Sequence, residues 1–482
     1  MFRFCEKMID IAASRGVDFG DIRLIETKSQ ELGVKNGEIS AADNAHSLGF
    51  GVRILHDGAW GFASSSEVSM AEIERVTALA IETAKASAML KKENACLAPE
   101  PVYVDKWQTP VLIDPFAVPV EKKLDVLFKV DAVLRKNKKI KSANGFMSFI
   151  KEHQYHATTE GSRIEQVLIT SGAGYDADAV DGHEVQTRSY PSTHGGQTLQ
   201  AGYELIESLN LVENAERVRE EAVALLTAPE CPSGKMDLII GGNQMALQIH
   251  ESVGHATELD RVLGYEESYA GSSFATTEKY KNFRYGSSIV NLVADATLPG
   301  GLATAGYDDD GVKAQRWHIV KDGILSGYMT NREFCRAIGV ERSWGCSRAH
   351  GFAHIPITRI CNLSLMPGEW EYDDLVASTK NGIIMENNRS WSIDQKRINF
   401  QFGCEIGWLV KNGKITGMVR NPNYQGITPE FWNSCDAICN DKYWKLYGVA
   451  NCGKGEPGQT AMMCHANSPA RFSKVTVGIK SR

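Results

Sequence analysis

Leu211, Ala215, Val218, Ala222 and Leu225 advance by four and three along the chain, which is one face of a helix. Val120, Leu124, Leu127, Phe128 and Leu134 keep a similar rhythm, with Asp131 interrupting it. A third helix carries its own start signal. Ser69 followed three residues later by Glu72 reads as a capping box, and the run from Met70 to Ala88 follows. Ahead of it, Asp21–Glu26 and Leu48–Ile54 read as strands. Asn36-Gly37, Asp57-Gly58, Asp322-Gly323, Asn381-Gly382 and Asn412-Gly413 each have strand-like sequence nearby, the mark of hairpins with type I′ turns. Hairpins make antiparallel sheet, so the pattern predicts an α+β fold rather than a doubly wound parallel one. Prolines and a glycine in Ala228–Gly234 separate a long helix from a new apolar strand, Met236–Ile240. Two domains are expected: an N-terminal helix and antiparallel-sheet domain over 1–227, and a C-terminal strand-rich domain over 228–482.

Composition narrows the function classes. With 482 residues, 43% hydrophobic and 23% charged, the chain can bury a full core without staples. A formal charge of -7 argues against general affinity for nucleic acid or an anionic membrane. The first residues carry Glu6 and Asp10 where a signal peptide needs an unbroken apolar core, and no apolar run reaches the ~20 residues of a membrane span. A cytoplasmic location is expected. The eleven cysteines include no CxxC pair and are read as mostly free thiols. GxGxxG after a strand, GxxxxGK[ST] and GxSxG are all missing, so nucleotide binding and serine hydrolysis lack support.

The informative segment is Gln244–Asp260, QMALQIHESVGHATELD, read as a helix carrying His250, Glu251 and His255. Imidazoles ligate zinc well, and an adjacent glutamate can act as general base toward water activated there. The spacing is HExxxH, not the commoner HExxH. In a regular helix, positions i and i+5 stand about 140° apart, too far to share one ion easily. The helix is therefore expected to be distorted, either by a π-bulge or by ending or bending near Gly254.

HESVGHATELD resembles the HExxxHxxExD signature of the TldD/PmbA family, also called modulators of DNA gyrase. PSGKMDLIIGG, GYDDDG, KDGILSGYMTNRE, SRA, PITRICN, WSIDQKRINFQFGCEIGWLVKNGKITG and NCGKGEPGQ follow the family's order, and GVKNGEIS, LGFGVRIL and GAWGFAS fit its N-terminal part. The resemblance implies an α+β fold, a dimer with itself or with a PmbA-type subunit, and zinc-dependent hydrolysis of short or unfolded peptides. It implies His250 and His255 as zinc ligands, Glu251 as the base, and Cys452 of NCGKG as the third ligand. Cys464 and His465 stand as alternative ligands, since chemistry alone does not choose among them.

Glu258 and Asp260 are read either as support for a ligand histidine or as helix-end charges or a local ion pair. Asp308, Asp309 and Asp310 lack EF-hand spacing and are read as a solvated turn ending at Gly311. Arg348 and Arg359 are candidates for a peptide carboxylate, with surface ion pairs as the plainer role. The other histidines, His194 among them, are read as ordinary. Two rival functions remain: a non-catalytic regulatory protein linked to DNA gyrase, and a protein with a purely structural zinc.

Overall fold

A computed structural model describes residues 1–193 and 196–478, so His194 lies outside the described residues. Helix α1 (Phe2–Ser14) leads into a long meander of β1 (Phe19–Lys35), β2 (Glu38–His56) and β3 (Ala59–Ser65), followed by α2 (Met70–Ala88). The Ser69 side chain accepts the Glu72 N–H, the first half of the expected capping box. Strand β4 (Val104–Gln108) and helix α3 (Val120–Leu134) precede β5 (Ile140–Thr158), β6 (Arg163–Asp181), β7 (Glu184–Tyr190) and β8 (Gln197–Leu199). These eight strands form one sheet, ordered β3-β2-β1-β5-β6-β4, with β7 and β8 also on β6. Only β4 runs parallel to its neighbour. Both strands expected near the N-terminus exist but run far longer, because β1 and β2 stay paired from Phe19↔Leu55 to Lys35↔Glu38, with one register shift between Gly33 and Val34.

Helices α1 and α2 pack Met8, Ile73, Val76 and Ala80 on Ile22, Phe50 and Val52. After the short α4 (Glu204–Ser208), α5 (Leu211–Leu225) joins α3 on the other half of the sheet, burying Leu127, Val130, Val218 and Ala222. Asp131, which breaks the apolar rhythm of α3, is used: its Oδ1 accepts the Gly37 N–H and secures the β1–β2 turn.

The second half opens with β9 (Gly234–Ile240) and α6 (Gly242–Ile249). Strand β9 lies between Asn381–Ile393, its parallel partner, and Ala470–Val477, an antiparallel one. Pairing of Asn381–Ile393 with Asn399–Lys411 closes these strands, with Asn423–Ile427, into a ring. Its interior and flanks form the largest apolar cluster, including Leu238, Ile249, Phe402, Trp432 and Phe472. A separate two-stranded ribbon, Lys445–Lys454 with Gln459–Asn467, leans on α6.

Four of the five Xaa-Gly pairs turn with positive φ at both residues: Asn36-Gly37, Asp57-Gly58, Asp322-Gly323 and Asn412-Gly413. Asn381-Gly382 does not. It begins a strand, and a Cβ on Gly382 would stand 2.9 Å from the Asp237 carbonyl oxygen, so this glycine serves close strand approach instead.

The aspartates before Gly311 are not solvated as expected. Asp310 and Asp308 are buried; Asp310 pairs with Arg53 of β2 at 2.8 Å, and Asp308 accepts the Ser347 and Val312 N–H groups. The turn fastens the first sheet to the second half of the chain. Glu405 does the same elsewhere, accepting from Arg188 at 2.9 Å and from the Ser189 hydroxyl at 2.6 Å. Among the described residues no helix is long and apolar enough to cross a membrane.

Candidate metal centre

Helix α6 does not continue regularly to Asp260, as the sequence suggested. From His250 to Gly254 it widens into a π turn, and His255–Thr257 closes as a 3₁₀ turn. The His255 N–H bonds the His250 carbonyl, an i→i+5 bond joining the two histidines. At about 80° per residue a π turn brings such a pair back to within about 40°. The ring centroids stand 4.7 Å apart. Both remedies expected from the spacing are present together, a π segment and a helix end just beyond Gly254. Gly254 sits against Ile360, whose Cδ1 would lie 2.8 Å from any added Cβ.

Cys452 arrives from the ribbon, where a register irregularity between Val449 and Cys452 precedes its pairing with Ala461. Its Sγ lies 3.4 Å from His255 Nε2. One ligand atom from each of His250, His255 and Cys452 falls within 4.8 Å of the others, the one such His/Cys/Asp/Glu group among the described residues. The three are 3%, 5% and 3% exposed.

Both imidazoles are fixed from behind. His250 Nδ1 is 2.9 Å from His465 Nε2, while His465 Nδ1 is 2.7 Å from the Leu363 carbonyl. A carbonyl can only accept, so His465 carries its proton on Nδ1 and accepts from His250 at Nε2. His255 Nδ1 faces Glu258 Oε2 at 2.8 Å. Both Nε2 atoms are thereby left as lone-pair donors. Glu258 and Asp260 share the buried Lys454 ammonium at 3.3 and 2.6 Å, so neither is a bare helix-end charge.

The electrostatics follow this geometry. Burial pushes the Cys452 thiol up, but His255 and Arg359 together outweigh it and the net shift is downward. Burial lowers His255, and Cys452 with Glu258 reverses that to a net rise. His250 is lowered by burial. Cys464 faces away: its Sγ accepts the Leu302 N–H, and burial pushes its thiol up to about 12.

Glu251 follows His250 and is 7% exposed. Burial raises its carboxyl, but His255, His250 and Arg397 together hold it below the usual range. Arg397 Nη1 meets Glu251 Oε2 at 2.5 Å. Among the described residues Oε1 has no hydrogen-bond partner. Arg397 has φ +65°, and its loop is braced by the buried Arg261, which donates to the Gln395 carbonyl. Arg359 is not at the surface; its guanidinium donates to the Cys452 and Gln459 carbonyls and steadies the ribbon. Arg397 and Lys454 escaped the sequence reading. Both lie inside quoted motifs, but nothing in a single chain marks which basic residue of a motif faces a carboxylate.

Family models match most of the chain. The description PmbA/TldA metallopeptidase C-terminal domain matches residues 233–477, domain 1 matches 20–85, and the central domain matches 113–226. The chain belongs to the PmbA/TldA metallopeptidase family. A metalloprotease of Methanocaldococcus jannaschii is 29% identical over 93% of this chain and 94% of its own length. A zinc metalloprotease TldD homolog of Saccharolobus solfataricus is 21% identical over 99% of both. In fold, the family member resembles a Thermotoga maritima protein described as a modulator of a DNA gyrase, with TM-score 0.77, 18% identity and 99% coverage of each chain. TldE of Thermococcus kodakarensis gives TM-score 0.74 at 15% identity, covering 99% of this chain and 100% of that one.

Proposed function

We propose that this chain is a zinc-dependent metallopeptidase of short or unfolded peptides, with His250, His255 and Cys452 as ligands and Glu251 as general base. The observation that carries the reading is the convergence of one ligand atom from each of the three residues within 4.8 Å, with the Nδ1 atoms of both histidines already engaged elsewhere. Zinc fits this donor set. Nitrogen and sulfur ligands at ~2.05 and ~2.3 Å from one ion at the tetrahedral angle stand about 3.6 Å apart, close to the 3.4 Å between His255 Nε2 and Cys452 Sγ. A structural zinc takes four protein ligands, whereas three suit a catalytic one. Bound zinc supplies a Lewis acid for the scissile carbonyl and acidifies the attacking water.

The chain's own residues supply the rest. Glu251 takes the water's proton on Oε1, since Oε2 is held by Arg397, and then delivers it to the departing amine nitrogen. His465 and Glu258 keep both imidazoles in the ligating tautomer. Burial of the group keeps the local dielectric low, which strengthens each of these interactions. The reading keeps 1–227 and 228–482 as the two domains, with the whole centre in the second. It also includes a cytoplasmic location and a dimer, with itself or with a PmbA-type partner; the likeness to TldE supports the latter. The described relatives of the gyrase-modulator type leave a link to DNA gyrase as part of the proposal rather than its core.

The test is metal content of the purified protein beside His250→Ala, His255→Ala and Cys452→Ala, with peptide hydrolysis measured in parallel. About one zinc per chain, lost with activity in all three, is the expected result. Zinc retained in Cys452→Ala would overturn the ligand set, and a zinc-supplied wild type that binds none would overturn the enzyme.

A further inference from the structure

A cavity of about 290 Å³ lies between the first sheet and the ribbon Lys445–Lys454/Gln459–Asn467. None of His250, Glu251, His255 and Cys452 lines it. Thr460, Ala461 and Met462 do; Thr460 and Met462 lie on the ribbon face opposite Met463 and His465, and Ala461 is the strand partner of Cys452. The cavity thus borders the ribbon that carries Cys452 but takes none of its lining from the proposed ligands or base. Much of its wall is apolar, with Ile150 and Leu168 on one side and Leu302 on the other.

Most polar groups of this cavity are satisfied. Asp309 accepts from Gln154 and the Ala349 N–H, Gln166 is tied to Tyr307, and Gln200 donates to the Thr304 carbonyl. Two ionisable side chains are not. Glu152 of β5 and Arg348 both line the cavity, and no hydrogen bond or ion pair joins either side chain to a described residue. Arg348 Nη1 is buried without a hydrogen-bond partner, with the like charge of Arg359 and the opposite charge of Asp309 both near it. Arg348 and Arg23 balance the Glu152 charge, and Asp309 balances that of Arg348, but no ion pair or hydrogen bond closes on either side chain; a cation and an acid left without hydrogen-bond partners on one cavity wall point to a ligand that carries both signs.

We propose that this cavity binds a zwitterion of the amino-acid or short-peptide class, its carboxylate on Arg348 and its ammonium on Glu152. The guanidinium fork matches a carboxylate in two parallel hydrogen bonds. Burial, aided by the Asp309 charge, pushes the Glu152 carboxyl up to about 7. An ammonium group beside it would restore the ionised form. The apolar walls between the two poles suit an aliphatic side chain.

L-leucine is the probe, since it has no peptide bond to hydrolyse, and calorimetric titration of the full chain reads its binding. Wild type should bind leucine at least about tenfold more tightly than L-leucinamide or N-acetyl-L-leucine. Arg348→Met should lose the preference over leucinamide, and Glu152→Gln the preference over the N-acetyl form. His255→Ala should bind leucine within twofold of wild type, which separates this site from the proposed metal centre. Arg348→Lys, which keeps the charge without the fork, covers the case in which the methionine variant fails to fold, and should bind leucine at least about threefold less tightly than wild type. No heat of binding to wild type at millimolar leucine would overturn the proposal. So would unchanged binding in the folded Arg348 variants, or loss of binding in His255→Ala.

Discussion

Replacing His465 with leucine removes the acceptor for the His250 Nδ1–H, a contact of 2.9 Å between two buried rings. The size of the effect can be worked in two ways. A buried N–H left without a partner costs ~1–3 kcal/mol. Loss of a supporting partner behind a metal-bound histidine lowers metal affinity ~10–100-fold, which is about 1.4–2.7 kcal/mol. The two estimates overlap, so zinc affinity in His465→Leu should fall by one to two orders of magnitude. Competition for zinc against a chromophoric chelator at fixed pH measures it, and the melting temperature of the metal-free variant checks that the fold survives. His465→Gln places a carbonyl oxygen near the lost Nε2 and should recover part of the affinity. A folded leucine variant within twofold of wild type would refute the reasoning. If glutamine falls as far as leucine, ring shape rather than the acceptor is what matters, and the argument fails as well.

Glu251→Gln should keep its zinc while peptide hydrolysis falls ~10²–10⁴-fold, the usual contribution of a general base; a variant with a tenth of wild-type activity would remove Glu251 from that role. Arg397→Met frees the carboxylate held at 2.5 Å and should lower kcat ~10–100-fold with metal content unchanged; unchanged kcat would show that Arg397 does not position Glu251. Glu152 is raised to about 7 by burial and then by Asp309, so its ionisation removes stability as pH rises from about 4.5 through 7. Glu152→Gln should accordingly stabilise the chain by about 1–3 kcal/mol at pH 8 and far less at pH 4. Equal gains in melting temperature at the two pH values would contradict the sign.

Helix placement was legible because it rests on local periodicity and caps: Met70–Ala88 and Leu211–Leu225 match the structure at both ends. Strand lengths were not, because Thr27–Lys35 and Glu38–Ser47 lack clear alternation and are strands through their register with each other. Asn381-Gly382 misled for a related reason: the same dipeptide serves a hairpin turn or a close strand contact, and only the neighbouring Asp237 decides. In the site, the spacing of His250 and His255 is unremarkable by itself, and the HESVGHATELD resemblance singled them out, while the i, i+5 interval foretold a distorted helix. The role of His465 was out of reach. A histidine that holds another histidine and one that holds a metal look alike in sequence, and the Leu363 carbonyl that fixes its tautomer lies over a hundred residues away.

The π turn also explains why the centre depends on the fold around it. Widening a helix by one residue weakens its hydrogen-bond ladder and leaves backbone groups for others to satisfy. Here distant residues meet them. The Tyr285 hydroxyl donates to the Ser252 carbonyl and Ser273 Oγ to the Ala256 carbonyl, while the Met329 N–H reaches the Thr257 carbonyl. Trp432 Nε1 donates to Ser252 Oγ, which in turn bonds the Gln248 carbonyl. These partners come from segments spread over 273–432, so the geometry that brings His250 to His255 is imposed by tertiary contacts, not by local propensity. Cys452 then joins from a ribbon anchored by Arg359. A metal held by these three ligands would bridge helix and ribbon, and its binding energy would add to the stability of the contacts that shape its site.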